Sequence, residues 1–171
     1  RLDEAELKKV DIQEGIKSTL PLLQHRLEGI EIVQEYGDLP PVNYYARELN
    51  QVFLLLFNNA IDALSGVYQT TSEQMPEDFA PTIRVTTETA GEDTVSIRIA
   101  NNGPDVSESE RSRLFDPFFT TKQVGKGTGL SLSICYQIIV QQHGGNITCC
   151  SQPEGGTEFA IAIPVRQADN G

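Results

Sequence analysis

The chain has 171 residues, which is enough for one domain with a sizeable core, and it carries 24 acidic against 13 basic residues. The resulting net charge of −11 argues against nucleic acid as a partner, because phosphate backbones are bound mainly by Lys and Arg. No apolar run is long enough to span a membrane and no signal peptide is recognisable, so we expect no membrane contact and a cytoplasmic location. The cysteines lack zinc-site spacing, and we expect reduced thiols, with Cys135 and either Cys149 or Cys150 in the core.

The first third of the chain predicts helices and one strand. Residues 1–9 are polar and are expected to form a helical stub, after which Asp11 can cap a helix. The apolar residues of that helix recur at helical spacing: Ile12, Ile16, Leu20, Leu23 and Leu27. Pro21 must kink or restart the helix, because proline has no N–H to donate. Residues 29–36 then predict a strand.

A long amphipathic helix is predicted over residues 47–64. Its apolar stripe comprises Leu49, Val52, Phe53, Leu56, Ala60 and Ala63. Asn59 falls on this stripe, and a buried amide without partners costs about 1–3 kcal/mol. Either Asn59 bridges groups within the core, or its oxygen is a ligand for a hard cation such as Mg²⁺. The residues alone leave both alternatives open.

Two alternating strands follow a polar loop that is expected over residues 65–81. The strands, near 82–89 and 94–100, are expected to pair with each other. The second strand ends in Asn-Asn-Gly-Pro at residues 101–104. This sequence usually forms a turn, although a polar pair at a strand end above a crevice can also bind the edge of a base.

The most informative stretch is residues 115–130. It opens with Phe-Asp-Pro-Phe-Phe-Thr-Thr-Lys and closes with Gly-Lys-Gly-Thr-Gly-Leu, directly before a helical pattern over residues 130–143. A Gly-rich turn leaves backbone N–H groups free, and a helix N-terminus adds a partial positive charge, so together they predict a phosphate site. Lys122 and Lys126 add positive charge to an acidic chain. The alternative is an ordinary Gly-rich loop before a helix.

The remaining elements complete an α/β fold. A short helix is expected at residues 107–114, His143 lies at a helix C-terminus that favours it through the helix dipole, and strands are predicted at 146–151 and 157–165. Gly-Gly-Thr at residues 155–157 by itself predicts only a hairpin turn. The fold class is therefore α/β (α+β): a two-layer sandwich with a mixed, mainly antiparallel sheet covered on one face by helices.

The order of these motifs resembles the catalytic, ATP-binding domain of two-component sensor histidine kinases, a fold shared with DNA gyrase and the mismatch-repair ATPases. Residues 59–63 look like the N box, 101–104 like the first glycine box, 115–122 like the F box, and 127–130 like the second glycine box. The resemblance covers roughly residues 43–165.

The resemblance implies ATP and Mg²⁺ as ligands, a mobile ATP lid, and transfer of the γ-phosphate to a histidine for relay to a response-regulator aspartate. That histidine would lie on a helical dimerisation domain absent from this chain. His25 does not qualify, because it lacks the acidic residue directly after it and the proline several positions on that mark the phosphoacceptor histidine in the family. The implied partners are this domain, a response regulator and, in the full-length protein, a second copy. We expect residues 1–10 to be the tail of the dimerisation domain, 11–166 the catalytic domain, and 167–171 a C-terminal tail.

The resemblance also implies the site residues. The metal ligand is Asn59, and no catalytic residue is expected in this chain because the phosphoacceptor is absent. The implied nucleotide-binding residues are Asn59, Asp62, Ala63, Asn101, Gly103, Asp105, Val106, Phe119, Lys122, Lys126, Gly127, Thr128, Gly129, Leu130 and Thr157.

Three residues depart from the family pattern. Asn101 stands where the family has an Asp that accepts from the adenine amino group, Asp105 replaces a Gly, and Leu55 stands where many relatives have another Asn. These departures support an alternative, a degenerate non-catalytic domain that acts through protein contacts. A further alternative is a serine kinase of the anti-sigma type, which shares the fold.

Overall fold

The structure is a computed structural model that describes residues 7–70, 78–117 and 130–165, with side chains up to residue 66 in the long helix. The strands are β1 (Leu7–Val10), β2 (Glu31–Tyr36), β3 (Val42–Tyr45), β4 (Thr82–Ala90), β5 (Thr94–Asn101), β6 (Asn146–Ser151) and β7 (Thr157–Pro164). The helices are α1 (Ile12–Thr19), α2 (Ala46–Thr70), α3 (Glu108–Arg111) and α4 (Ser131–Tyr136). A 3₁₀ turn (Leu20–Leu23) follows α1, and a π-helical segment (Gln137–Gln142, the π segment) continues α4.

Five strands form the main sheet in the order β2-β4-β5-β7-β6. Only the pairing of β2 with β4 is parallel, so the predicted mixed, mainly antiparallel sheet is confirmed. The predicted pairing of the two alternating strands is also confirmed, with Val85 opposite Ile99 in the antiparallel ladder of β4 and β5.

Alternation along the strands gives the sheet one apolar and one polar face. Val85, Ile97 and Ile161 are buried, whereas Arg84 and Arg98 on the same strands are exposed. The apolar face packs against helices α2 and α4, whose buried residues complete a single core. The prediction of helices on one face of the sheet is therefore confirmed.

The cysteines lie where the sequence placed them. Cys135 is buried, Cys149 packs half-buried against the core, and Cys150 is exposed on the opposite face of β6. All three are free thiols. Burial raises the pKa of Cys135 to about 12, which keeps this thiol protonated and unreactive.

The N-terminal region corrects one prediction. Residues expected to end a helical stub instead form β1, which pairs antiparallel with the unpredicted strand β3, Leu7 opposite Tyr45 and Val10 opposite Val42. This two-stranded sheet (the ribbon) is anchored by Tyr44, which is fully buried and donates its hydroxyl to Pro164 O at 3.1 Å. A distant partner, rather than local propensity, decides the conformation of β1.

Other boundaries follow the predicted signals. Asp11 caps α1 by accepting hydrogen bonds from Gln13 N and Glu14 N, and Pro21 stands in the first turn of the 3₁₀ segment. However, α2 runs on to Thr70, so the polar loop does not begin at residue 65. Backbone hydrogen bonding continues past the apolar stripe, where Ser65 and Gly66 face solvent.

The last two helices also differ from the predicted ones. The helix expected over residues 107–114 is the short α3, capped by Ser107, whose hydroxyl accepts from Glu110 N. The helix expected over residues 130–143 changes from α to π geometry after Tyr136. None of the helices in the described parts of the chain is long and apolar enough to cross a bilayer.

Candidate nucleotide-binding site

The loop after β5 lies against α2. Asn101, the last residue of β5, is only 5% exposed, and its Oδ1 accepts the Gly103 N–H at 2.9 Å. A Cβ on Gly103 would lie 3.4 Å from the carbonyl oxygen of Ala63. The structure thus brings together three predicted site residues: Asn101, Gly103 and Ala63.

The hydrogen bond to Gly103 fixes the orientation of the Asn101 amide. A backbone N–H can only donate, so the atom that faces Gly103 must be the amide oxygen. The NH₂ group has no hydrogen-bond partner among the described residues. A ligand that contacts the Asn101 side chain would therefore face the NH₂ group, a hydrogen-bond donor.

Asn102 secures the other side of the same loop. Its Oδ1 accepts from Thr82 N and its Nδ2 donates to Ala80 O, both at 2.8 Å. Both polar groups of this side chain therefore hold the loop to the start of β4. Of the two asparagines, Asn102 shapes the turn, and Asn101 can meet a ligand.

Asp105 ties the loop to the start of β7. Its Oδ1 accepts from Gly156 N at 2.6 Å, and Thr157 Oγ1 donates to Pro104 O at 3.3 Å. Gly156 has φ +105°, and a Cβ there would lie 1.9 Å from Asn101 O, so only glycine fits. Buried Thr157 stands opposite Asn101 in the ladder, which places it beside the predicted base-binding residue.

On α2, Asn59 is half-buried, and its side chain makes no hydrogen bond with the described residues. Its neighbours on the helix are engaged by Arg26, which donates to Asp62 Oδ1 at 2.5 Å and to Asn58 Oδ1. Sequence reasoning missed Arg26, which lies 32 and 36 positions before these partners and forms no motif with them. An exposed ion pair of this kind contributes at most about 1 kcal/mol, so it orients Asp62 more than it stabilises the fold.

Two further elements border the region. The ring of Phe115 packs 6.2 Å from that of Tyr136 and 6.3 Å from that of Phe159, so Phe115 is held against both α4 and β7. Leu130 is the N-cap residue directly before α4 and is 37% exposed, and Val106 packs half-buried against the core. The remaining predicted residues lie outside the described residues: Phe119, Lys122, Lys126, Gly127, Thr128 and Gly129.

Comparison with known proteins identifies the family. Residues 45–167 match the family described as histidine kinase-, DNA gyrase B- and HSP90-like ATPase. The chain belongs to this family. Its relatives and structural neighbours are sensor histidine kinases, so it is a histidine-kinase-type ATPase domain and the resemblance is confirmed.

Two curated relatives are sensor kinases. The domain is 34% identical to sporulation kinase E of Bacillus subtilis (strain 168) over 89% of this chain and 19% of that protein. It is 37% identical to the sensor kinase CckA of Brucella abortus (strain 2308), over 87% of this chain and 16% of that protein. The chain thus spans about a fifth or less of the length of these relatives.

Solved structures show the same fold. The nucleotide-free catalytic domain of the histidine kinase ThkA gives a TM-score of 0.77 at 29% identity, covering 94% of this chain and 99% of that one. Full-length ShkA in complex with AMPPNP gives 0.76 at 26% identity, covering 96% and 32%. ThkA in complex with the response regulator TrrA gives 0.73 at 26% identity, covering 93% and 42%.

Two features of the histidine-kinase-type domain bear on metal binding. The described residues contain no cluster of three His, Cys, Asp or Glu side chains that could hold a metal ion. Leu55, the residue where many relatives have a second Asn, packs partly buried against the core and offers no ligand atom. Among the predicted site residues, Asn59 has an amide oxygen, which is a type of ligand that Mg²⁺ accepts alongside water and phosphate oxygens.

The polar face of the sheet carries a separate cavity. It has a volume of about 550 Å³, and its lining includes Arg84, Arg98, Asn101 and Asn102. Arg84 is paired with Glu35, and Arg98 lies 3.4 Å from Glu158. Both guanidinium groups of this cavity therefore already face carboxylates.

Proposed function

We propose that this domain binds ATP with Mg²⁺ and transfers the γ-phosphate to a histidine on a helical dimerisation domain. The observation that supports this most is the convergence around Asn101 of the loop after β5, α2 at Ala63, and β7 at Thr157. Helix α2 also packs against α4, which follows the Gly-rich segment directly. The first glycine box, the N box and the helix of the second glycine box thus border one region.

Asn59 is the proposed metal ligand. Its half-buried amide lacks a partner among the described residues, so its oxygen is available without breaking an existing bond. A bound Mg²⁺ would neutralise phosphate charge and orient the γ-phosphate. Asp62, held by Arg26, would lie one helical turn further along α2 and accept hydrogen bonds from the water shell.

The remaining contacts are assigned by position. Asn101 and Thr157 would meet the base, with Ala63, Gly103, Asp105, Val106 and Leu130 forming the walls. Phe119, Lys122, Lys126, Gly127, Thr128 and Gly129 would close over the phosphates. Phosphoryl transfer needs positioning and charge neutralisation more than covalent chemistry, so no nucleophile of this chain is required.

The partners are proposed from the relatives. ShkA binds AMPPNP and ThkA binds the response regulator TrrA, which supports an ATP site and a response-regulator partner for this domain. We propose that the full-length protein is a homodimer whose dimerisation domain carries the phosphoacceptor, and that this domain works in the cytoplasm.

The test is saturation binding of labelled ATP with and without Mg²⁺, followed by transfer to a histidine-containing dimerisation domain. We expect Mg²⁺-dependent binding, slower hydrogen exchange over residues 115–130 with a non-hydrolysable analogue, and an acid-labile phosphoryl group. Absence of saturable binding at millimolar ATP would contradict the proposal.

Two specific observations favour a second candidate, a degenerate domain that acts through protein contacts. Leu55 removes a polar ligand and Asn101 presents a donor where an acceptor for the adenine amino group is expected. Saturation binding separates the two candidates directly. If binding occurs but the transferred phosphate is stable in acid, the activity is that of a serine kinase instead.

A further inference from the structure

His143 is buried between the end of the π segment and the ribbon. It is 2% exposed, and its Nδ1 lies 2.8 Å from Ile138 O. Its Nε2 lies 3.1 Å from the backbone nitrogen of Tyr45 on β3. One side chain therefore bonds to the helical layer through one ring nitrogen and to the ribbon through the other.

These partners determine the protonation state of the imidazole. A carbonyl oxygen can only accept, so Nδ1 must carry the proton that it shares with Ile138. The Tyr45 N–H can only donate, so Nε2 must be unprotonated. If Nε2 also carried a proton, its N–H would face the N–H of Tyr45, and this hydrogen bond would be lost.

The surroundings favour the neutral ring. The rings of Tyr44 and Tyr45 pack edge-on at 5.6 and 5.3 Å from the imidazole. Burial is the main cause that lowers the pKa of His143, while the bond to Ile138 and the charge of Glu48 raise it. Strand β1 carries Lys8 and Lys9, opposite Tyr44 and Asn43, and the first turn of α2 carries Arg47 beside Glu48. All three basic residues are exposed, and the π segment carries no charge.

The same ring closes the helix. Ile138 O also accepts the backbone N–H of His143 at 3.0 Å, so two donors from one residue hold this carbonyl. The chain then turns at Gly144, with φ +68°, and a Cβ on Gly145 would lie 2.2 Å from Ala162 O on β7. These contacts hold the end of the π segment against the ribbon and β7.

We propose that His143 is a positioning residue for the nucleotide site, which sets the location of α4 by fastening its continuation to the ribbon through Tyr45. The inference rests on the proposed function, because α4 begins directly after the Gly-rich segment. Loss of the Tyr45 bond would free α4 to shift, and this shift would weaken the phosphate contacts that the proposed function assigns to the start of α4.

Two substitutions separate the two bonds of the ring. In His143→Gln the amide oxygen reaches the position of Nε2 and can still accept from Tyr45, whereas in His143→Asn the amide NH₂ reaches the position of Nδ1 and can donate only to Ile138. The matched controls are the same two changes at His25, which is exposed. All variants are compared at a temperature where circular dichroism shows each to be folded.

We expect His143→Asn to weaken ATP affinity about fivefold or more, and His143→Gln by clearly less. The Tyr45 amide and the amides of α4 should exchange faster in His143→Asn than in His143→Gln. In the wild type, affinity should fall once the pH drops below the lowered pKa of His143, and the Gln variant should lack this extra loss, since protonation of the nucleotide is common to both.

Equal affinity and equal α4 exchange in the two folded variants would overturn the proposal and leave His143 a purely structural residue. If the wild type binds no nucleotide, the proposed function fails on its own. The exchange of α4 then still decides whether His143 positions that helix, because this measurement needs no ligand.

Discussion

The loop after β5 and the middle of α2 border the same site but are built in opposite ways. In the loop, Asn101, Asn102 and Asp105 each accept a backbone N–H, so their side chains fix its shape. On α2, the half-buried amide of Asn59 has no partner among the described residues. Substitutions in the loop should therefore cost stability, whereas substitution of Asn59 should cost binding alone.

The largest expected effect lies in the loop region. Gly156→Ala should lower the free energy of unfolding by about 3–4 kcal/mol, because the new Cβ would collide with Asn101 O and strain a left-handed backbone. Urea unfolding measures the loss. The control is Gly155→Ala, which shares a positive φ but meets nothing within 4 Å and should cost only about 1–2 kcal/mol. Equal losses would show that the close contact between Gly156 and Asn101 O does not restrict this position.

On the other side of the comparison, Asn59→Ala should reduce Mg²⁺-dependent ATP affinity by about a hundredfold, equivalent to about 2.7 kcal/mol, as expected for loss of a direct ligand. Thermal stability should hardly change, since the amide has no partner among the described residues. Calorimetric titration with and without Mg²⁺ is the measurement, and Asn58→Ala is the matched control. A drop in stability with unchanged affinity would show that Asn59 is a core amide.

Asn101 combines the two roles. Its oxygen accepts the Gly103 N–H and so shapes the loop, whereas its NH₂ has no partner among the described residues and can meet a ligand. Asn101→Asp keeps the first contact and replaces the donor with a charged acceptor, so it should tighten ATP and not GTP. The change in the ATP/GTP preference should be about 1–2 kcal/mol. Paired titrations of both nucleotides against both proteins measure it. An unchanged ratio would mean that Asn101 does not contact the base.

The smallest expected effect is a pH dependence of stability. The pKa of His143 is lowered in the folded state from its ordinary value of 6.5, so the unfolded chain binds a proton first as the pH falls. The free energy of unfolding should therefore be full above pH 6.5 and decline below it, by at most about 1.4 kcal/mol per pH unit from this group. Urea unfolding between pH 7 and pH 5 checks this. His143→Gln should flatten the slope, whereas His25→Gln should leave it unchanged.

Most of the main sheet could be predicted because its signal is local. Alternation over residues 82–101 and 146–164 identifies four of the strands from neighbouring residues alone. By contrast β1 and β3 are four residues each, and their pairing joins positions more than 30 residues apart. A window of local sequence cannot contain the partner that makes such a strand, which is why β1 was expected to be helical.

The motifs of the candidate site could be read from the sequence, but its contacts could not. The order of the boxes predicts Asn59, Asn101 and Gly103 as site residues, and this stays a prediction. The bond between Asp105 and Gly156 spans 51 positions and joins a side chain to a backbone N–H, for which no pattern exists. His143 was correctly expected at a helix C-terminus, but the helix dipole favours a charged ring there, and burial under β3 makes it neutral.

The parallel pairing of β2 with β4 has a consequence for the order in which the chain folds. Turns join β4 to β5 and β6 to β7, so those hairpins can close early. Strand β2 can pair with β4 only after the chain between them, which includes the whole of α2, has folded back, because β4 follows that helix in the sequence. Closing so long a loop costs entropy before any contact compensates for it. We therefore expect the edge formed by β2 to be the last part of the sheet to assemble.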